Sequence, residues 1–468
     1  MSHGLHRSGL SIDVGTSGVR AALFDERGSA IESTQVSRPR GGGDFVELDP
    51  DVLVEEVVKT VEGLSGSGVG ASELIAISTF WHSLMGVDAS GAPTTPLLTW
   101  ADTRATQQAK ELRAEFDERE IHARTGCRLH PSYWPAKLRW LKAEHPRKFD
   151  ATSKWLGFGE YLCLRLFGES AASVSMASAT GLMNQSTCDW DAELIRGIRV
   201  PLETLPRIFT DETRIVVGDG AANNVGGNCT TKATIALMIG TSGAMRVVYT
   251  GEPPAKLSPS LWSYRVSRER VVVGGALSDG GGLLEWLVQS LNTGDNTAAL
   301  QQQLAAFEPD SHGLTILPFW SGERSTGWHA EARGGIFGLR QQTTTPEILR
   351  AALEAIAYRF ALIAEALDEI APGATVIVTG NALRSSPVWL QIIADVLGRP
   401  VMLGSASEAS MRGAALLALE AVGKIGNLEA VPVSVDEVFE PDMQRHARYR
   451  DGLARQQDLY ERLFGETS

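Results

Sequence analysis

Residues 216–243 read Val-Val-Gly-Asp-Gly-Ala-Ala-Asn-Asn-Val-Gly-Gly-Asn-Cys-Thr-Thr-Lys-Ala-Thr-Ile-Ala-Leu-Met-Ile-Gly-Thr-Ser-Gly, and the reading of this stretch decides the fold. An acid, Asp219, sits between two glycines. Ile235 to Ile239 is a short apolar run that ends in Gly240-Thr241-Ser242-Gly243. Such a run bounded by glycines fits a central strand of an α/β sheet better than a helix. A carboxylate in one turn can accept a proton. A Gly-Thr-Ser-Gly turn can offer N–H groups and hydroxyls to phosphate oxygens. Standing alone, the pair would be an ordinary glycine-rich loop.

The pattern occurs twice. Leu10-Ser-Ile-Asp-Val precedes Gly15-Thr16-Ser17-Gly18, and a second β-rich run, Val19 to Phe24, follows. An echo at this separation points to two domains of related design, each presenting one phosphate-binding hairpin. The boundary is placed near Thr230, giving residues 1–230 and 231–468. The first copy carries Asp13 where the second has Met238. An acid inside an apolar strand costs free energy unless it has a partner. Asp13 is therefore the candidate magnesium residue, with local backbone capping as the alternative.

Composition narrows the class. The chain has 468 residues, 43% hydrophobic and 21% charged, with a net charge of −13. A surplus of acid argues against a nucleic-acid surface or an anionic membrane. The four cysteines are scattered without a C-x-x-C pair, as expected of buried thiols in a reducing compartment. No apolar run approaches membrane-spanning length, so the cytoplasm is expected.

Outward from the core stretch, Asp49-Pro50 caps a helix with Leu53, Val57 and Val61 on one face. Leu74–Ser78 is a buried strand, with Trp81 and His82 just beyond its carboxyl end, where α/β proteins bind ligands. Trp100, Asp102 and Arg104 alternate, so on an extended segment they share a face suited to a polyol; an Asp102–Arg104 surface ion pair is the plainer alternative. Lys137 lies in an amphipathic helix after an aromatic loop, at a position that also suits an exposed face. Gly280-Gly281-Gly282 open a helix carrying Glu285, and close backbone approach to a ligand is the expected use of these glycines. The strand Val376–Thr379 ends in Gly380-Asn381, ahead of Ser385 and another helix. There is no G-x-x-x-x-G-K-[ST] and no G-x-G-x-x-G after the first strand, which disfavours P-loop and dinucleotide-binding folds.

Seven segments in order resemble the FGGY family of carbohydrate kinases: Asp13-Val-Gly-Thr-Ser17, Trp100-Ala-Asp-Thr-Arg104, Gly218-Asp-Gly-Ala-Ala-Asn-Asn-Val-Gly226, Ile239-Gly-Thr-Ser-Gly243, Ser321-Gly-Glu-Arg324, Ala332-Arg-Gly334 and Thr379-Gly-Asn-Ala-Leu-Arg-Ser-Ser386. The resemblance covers nearly the whole chain. It implies an α/β fold of two ribonuclease-H-like, actin-like ATPase domains flanking a cleft. Trp81-His82-Ser83 and the segment Ser175–Asn184 look most like gluconate kinases. Gly220 stands where xylulose kinases usually carry Asn, which argues against xylulose and leaves room beside the acid.

The expected activity is ATP- and Mg²⁺-dependent phosphorylation of a primary hydroxyl, with D-gluconate as the substrate. A ketopentose or polyol kinase is the alternative, and an actin-like interaction protein the remote one. Asp219 is the expected general base. Thr16, Ser17, Gly240, Thr241 and Ser242 would hold phosphates, and Asp13 magnesium. By resemblance, Gly281, Glu285, Gly380, Asn381 and Ser385 line the nucleotide. Trp81, His82, Trp100, Asp102, Arg104, Lys137 and Asp219 would hold the sugar, with His82, Arg104 and Lys137 at the donor end. The expected partners are thus ATP and a small sugar or sugar acid, with no nucleic acid and no membrane; a homodimer is left open.

Overall fold

The computed structural model describes residues 9–15, 18–38, 47–64, 72, 74–209, 214–292, 297–379 and 382–465. Two sheets carry the fold. The first has five strands in the order Arg214–Gly218, Leu74–Thr79, Gly9–Gly15, Gly18–Phe24, Ala30–Ser37. The last three form an antiparallel meander, and Leu74–Thr79 and Arg214–Gly218 add in parallel. The second sheet has seven strands. Arg270–Leu277, Gly243–Thr250 and Thr234–Ile239 form its meander, and Thr375–Val378 and Val401–Gly404 add in parallel. Trp262–Arg265 and Val435–Phe439 flank it as edges. The five central strands of the second sheet repeat the first, so the internal echo in the sequence is an echo of topology.

Local chemistry explains the elements. Asp49 caps the helix Pro50–Glu62 by accepting from the N–H groups of Asp51 (2.9 Å) and Val52 (3.2 Å), and Leu53 and Val57 are buried. Thr344 and Glu347 form a capping box for the long helix Thr345–Leu367, whose apolar side covers the second sheet. The parallel strands are apolar on both faces, as strands covered on both sides must be.

Each parallel run feeds one further helix, Asp219–Gly226 after the first and Ala409–Ala421 after the second. These two helices cross. A methyl group on Gly226 would fall well inside contact distance of the Ala409 carbonyl, and one on Gly413 would meet the Ala222 carbonyl. The helix Ala409–Ala421 packs on the first sheet: Ala414, Ala415 and Leu419 share a buried cluster with Ile12, Ile77 and Val217. Ser11 Oγ donates to the Met411 carbonyl at 2.7 Å. Thr230 lies between the last strand of the first sheet and the first strand of the second, and the helix Ala409–Ala421 completes the first core.

Gly413→Ala is expected to destabilise the protein by about 1–3 kcal/mol, because the crossing leaves no space for Cβ. Gly426→Ala is the control, since a Cβ there meets nothing within 4 Å. Denaturant midpoints of the two variants check this; equal midpoints would show that the helices separate at little cost.

Candidate active site

The parallel register of the first sheet brings three strand ends together. Asp13 lies level with Ser78, and Ser78 with Val217, two residues before Asp219. Asp13 is buried. Burial pushes its carboxyl up to about 6, against the pull of Arg20, which pairs with it at 3.3 Å. Asp219 opens its helix and accepts from the Gly220 N–H at 2.7 Å. Burial raises its carboxyl too, and the Arg246 guanidinium opposes that rise.

Arg246 comes from the second sheet. It donates to the Gly220 carbonyl at 3.2 Å and to Asn224 Oδ1 at 3.4 Å, and burial lowers its pKa to about 10. It is a cation from one half held against the acid of the other. An arginine inside the apolar strand Gly243–Thr250 was the available signal in the sequence, the same signal that singled out Asp13.

Trp81 lies beneath the Asp219 turn, its Nε1 donating to the Ser175 carbonyl at 3.1 Å and its ring edge-on to Tyr264 at 5.1 Å. A Cβ on Gly220 would stand 2.7 Å from the Trp81 ring and 3.0 Å from Arg246 Nε. The expected vacancy beside Gly220 is therefore filled by Trp81 and Arg246. His82 adopts a left-handed backbone (φ 67°), and its Nδ1 lies 2.7 Å from the Ala179 carbonyl. Burial takes its pKa down to about 3, so the ring is neutral. Nδ1 carries the proton to that carbonyl, which leaves Nε2 an acceptor. His82, expected at the donor end of the sugar site, thus presents an acceptor at Nε2.

Three further expectations change. Residues 100–104 are not extended: the Asp102 N–H turns back to the Thr99 carbonyl at 3.3 Å. Arg104 clasps Asp102 through Nε (3.0 Å) and a terminal nitrogen (2.7 Å), pairs with Glu47 at 2.6 Å and stacks on Trp140 at 4.5 Å. Trp100 is stacked instead under Arg324 at 4.5 Å, so Trp100, Asp102 and Arg104 do not share one binding face. Lys137 is fully buried, because the helix Trp134–Glu144 is enclosed on the side it faces. Its Nζ donates to the carbonyls of His82 (2.8 Å) and Thr99 (2.7 Å), tying the Trp81-His82 loop to the Trp100 loop.

In the second half, Gly240, Thr241 and Ser242 form the tight turn between strands, with Thr241 exposed. The helix Gly281–Ser290 abuts this turn. Gly281 N–H donates to the Gly240 carbonyl (2.7 Å), and Gly280 and Gly282 N–H donate to the Thr241 carbonyl (2.9 and 3.1 Å). A Cβ on Gly280 or Gly281 would meet turn oxygens at 2.6 or 2.7 Å. These glycines permit a close backbone approach to the turn itself. Glu285 is half-buried one turn further along, and Ser385 is exposed just before the helix Pro387–Leu397. Thr16, Ser17, Gly380 and Asn381 lie outside the described residues.

The loop after residue 317 lies beside these residues and carries Ser321–Arg324. Asp279 accepts from Ser321 N–H (2.8 Å) and Oγ (2.9 Å). Arg324 lines two small cavities, one with Trp100, His130, Ser132 and Ser278, the other with Leu277, Asp279 and Phe319. Tyr133 and Tyr264 close the region across the two halves with a 2.6 Å hydroxyl contact. Far from this site, Asp310, His312 and Glu354 cluster closely enough to hold a metal ion, but Arg455 and Arg350 engage the two carboxylates, and the group reads as a buried ion-pair network. Among the described residues no helix is long and apolar enough to cross a membrane.

Two sheets of one design, with acids at the carboxyl edge of one and a Gly-Thr-Ser-Gly turn on the other, define an actin-like ATPase-type kinase. Residues 9–237 match the N-terminal domain, and residues 235–422 the C-terminal domain, of the FGGY family of carbohydrate kinases, and the chain belongs to that family. It is 29% identical to the gluconokinase of Bacillus subtilis (strain 168) over 92% of this chain and 90% of that one. It is 31% identical to the glycerol kinase of Gloeobacter violaceus over 92% of each. The gluconate kinase of Lactobacillus acidophilus superposes with a TM-score of 0.86 at 26% identity, covering 98% of both chains. The xylulose kinase from the same organism gives 0.87 at 26% identity and the same coverage.

Lys137→Met is expected to destabilise the protein by about 2 kcal/mol, since two buried carbonyls lose their donor. Burial holds the Lys137 amine near 7, below the roughly 10.4 of an unfolded lysine. Between those values the unfolded chain binds the extra proton, so wild-type stability gains from rising pH. The stability gap to Lys137→Met therefore widens from pH 7 to pH 9. Urea midpoints at both pH values check this; a constant gap would mean that the amine stays charged in the fold.

Proposed function

We propose that the protein transfers the γ-phosphoryl group of ATP to the primary hydroxyl of D-gluconate, giving 6-phosphogluconate. The observation that carries the transfer is the placement of Asp219: a desolvated carboxylate at a strand end, facing cations from the other half. The gluconokinase and gluconate kinase relatives support the sugar acid. The glycerol and xylulose kinase relatives support a neutral polyol or ketose on the same scaffold, which is the competing reading.

In this mechanism Asp219 orients the hydroxyl and takes its proton as the P–O bond forms. Its raised proton affinity suits that work. Thr241 and Ser242, with Thr16 and Ser17 of the first turn, are proposed to hold phosphate oxygens. Glu285 and Ser385, with Gly281, Gly380 and Asn381, are proposed to border the nucleoside. The half-buried Asp219 carboxylate disfavours the charge of the buried Asp13 beside it, and a divalent cation would relieve this, so the donor set fits Mg²⁺. Asp13 would hold the ion through water; when bound, the ion neutralises charge on the phosphates. Trp81 and Trp100 offer apolar walls to the C–H faces of the sugar.

Asp219→Asn is expected to keep ADP affinity and lose turnover by roughly 10²–10⁴-fold. Stopped-time ADP assays and calorimetry measure both, and near-normal kcat would remove the assignment. A coupled ADP-release screen with Mg²⁺ over D-gluconate, D-xylulose and glycerol tests the substrate, with the highest kcat/KM expected for D-gluconate. A clear preference for D-xylulose or glycerol would defeat the acid reading alone. Absence of sugar-stimulated ADP release with all three would defeat the kinase reading.

A further inference from the structure

Gly220 holds two opposite charges side by side without pairing them. Its N–H donates to Asp219 Oδ1 at 2.7 Å, and its carbonyl accepts from a terminal nitrogen of Arg246 at 3.2 Å. The same nitrogen donates to Asn224 Oδ1 at 3.4 Å. Carboxylate and guanidinium are thus anchored on one residue, yet among the described residues they form no ion pair, and each feels the other's charge at longer range. A buried guanidinium is costly unless its donors are answered. Arg350 and Arg359 are answered by Glu354 and Glu323. Arg246 makes both of its bonds through one terminal nitrogen. Its Nε and its other terminal nitrogen donate to no group among the described residues. Those two nitrogens form one edge of the planar fork, an edge that holds two neighbouring oxygens at once.

The position of that edge suits the sugar better than the phosphates. Arg246 follows Ser242 by four residues along the strand Gly243–Thr250. At ~3.3 Å per residue it lies roughly 13 Å beyond the Gly240-Thr241-Ser242 turn. Its side chain crosses to the other half and does not run back along the strand. A Cβ on Gly274 would stand 2.9 Å from Arg246 Cγ, and one on Gly220 would stand 3.0 Å from Arg246 Nε. The Trp262 ring comes within 3.0 Å of the first of these points, and the Trp81 ring within 2.7 Å of the second. Indole rings therefore flank the side chain at both ends, a surround that favours the C–H faces of a carbohydrate over a highly charged phosphate.

We propose that Arg246 is a catalytic residue whose free edge holds the terminal vicinal diol of the sugar, donating one bond to the hydroxyl that is phosphorylated and one to the hydroxyl on the neighbouring carbon. This rests on the transfer reading with Asp219 as base, and it applies to a sugar acid, a polyol or a ketose alike. The attacking hydroxyl donates to Asp219 and accepts from Arg246, so it fills the space between two charges that the fold keeps unpaired. The new P–O bond forms as the bond from the γ-phosphorus to the bridging oxygen breaks and ADP leaves. The hydroxyl proton passes to Asp219, and the guanidinium keeps its charge beside the oxygen that gives the proton up.

The test compares each sugar with the analogue that lacks the hydroxyl beside the reacting one: D-gluconate with 5-deoxy-D-gluconate, D-xylulose with 4-deoxy-D-xylulose, and glycerol with propane-1,3-diol. Coupled ADP release gives kcat/KM for the full chain as wild type, Arg246→Gln and Arg246→Lys. In wild type the missing hydroxyl is expected to cost roughly 10–100-fold, the loss of a hydrogen bond to a charged donor. In Arg246→Gln the parent sugar should fall by at least as much, and parent and analogue should then differ by less than about threefold. Arg246→Lys, a point charge without a fork, should lie between the two. The KM for ATP should stay within about twofold throughout. Discrimination as large in the variants as in wild type overturns the proposal, because a merely structural arginine would lower parent and analogue equally. Equal kcat/KM for parent and analogue in wild type also overturns it. So does a KM for ATP that rises with the loss, which would make the cation a phosphate ligand. If circular dichroism shows that Arg246→Gln does not fold, Arg246→Lys decides. The pair whose parent is turned over is the one that counts. If wild type phosphorylates no parent sugar, the transfer reading falls and takes this contact with it; if only the variants disagree, the transfer reading stands.

Discussion

The glycine-to-backbone crossing of the helices Asp219–Gly226 and Ala409–Ala421 is the constraint on which the rest of the structure depends. Helices carrying larger side chains at the crossing would stand 8–10 Å apart. Without Cβ at Gly226 and Gly413, backbone meets backbone. That contact fixes the height of Asp219, which opens the first of these helices. It also brings the Gly243–Thr250 strand close enough for Arg246 to reach the Gly220 carbonyl and for Asn224 Nδ2 to donate back to Arg246 at 3.1 Å. On the far side Thr379 Oγ1 reaches Asn223 Oδ1, and its N–H bonds to Leu237. The acid, its facing cation and the strand leading to the second turn are thus set by one close packing.

Buried charge is distributed unequally around that crossing. The first half contributes acids, Asp13 and Asp219, and burial raises the proton affinity of both. The second half contributes Arg246 and Arg324, and burial lowers the proton affinity of both. Each set is costly alone and less so beside the other, which is why opposite signs meet across the boundary. Lys137 stands apart. It spends its donors on two loop carbonyls, and its neutral form can make the same bonds.

The features legible in the sequence were those whose physics is local. The doubled strand–Gly-Thr-Ser-Gly pattern is a statement about two hairpins, and the two sheets repeat one topology. The Asp49 cap follows from the two residues after it. Asp13 and Asp219 stood out because acids in apolar or glycine-rich runs need a reason. Features set by distant partners were not legible. Alternation of Trp100, Asp102 and Arg104 suggested one face, yet Glu47, Trp140 and Arg324 draw these side chains to different places. Amphipathic spacing could not show that Lys137 faces two loops. The glycines at 280–282 signalled close approach correctly, but nothing local says that the approaching group is the Gly240-Thr241 turn.

The same distinction bears on how specificity is built. A family's transfer chemistry rests on the strand ends and turns, which sheet register places the same way in any chain with this topology. The aromatic and charged side chains around those strand ends lie on the connecting loops: Trp81 and His82, Trp100, His130, and Arg324 on the segment after residue 317. These loops are joined by bonds that register does not dictate, such as the two Lys137 contacts and the Tyr133–Tyr264 hydroxyl pair. A xylulose kinase and a gluconate kinase both superpose closely on this one scaffold. Among the described residues Arg246 on a strand, Lys137 on a helix and Arg324 on a loop all lack an ion-paired carboxylate, and the acids Asp13 and Asp219 sit at strand ends.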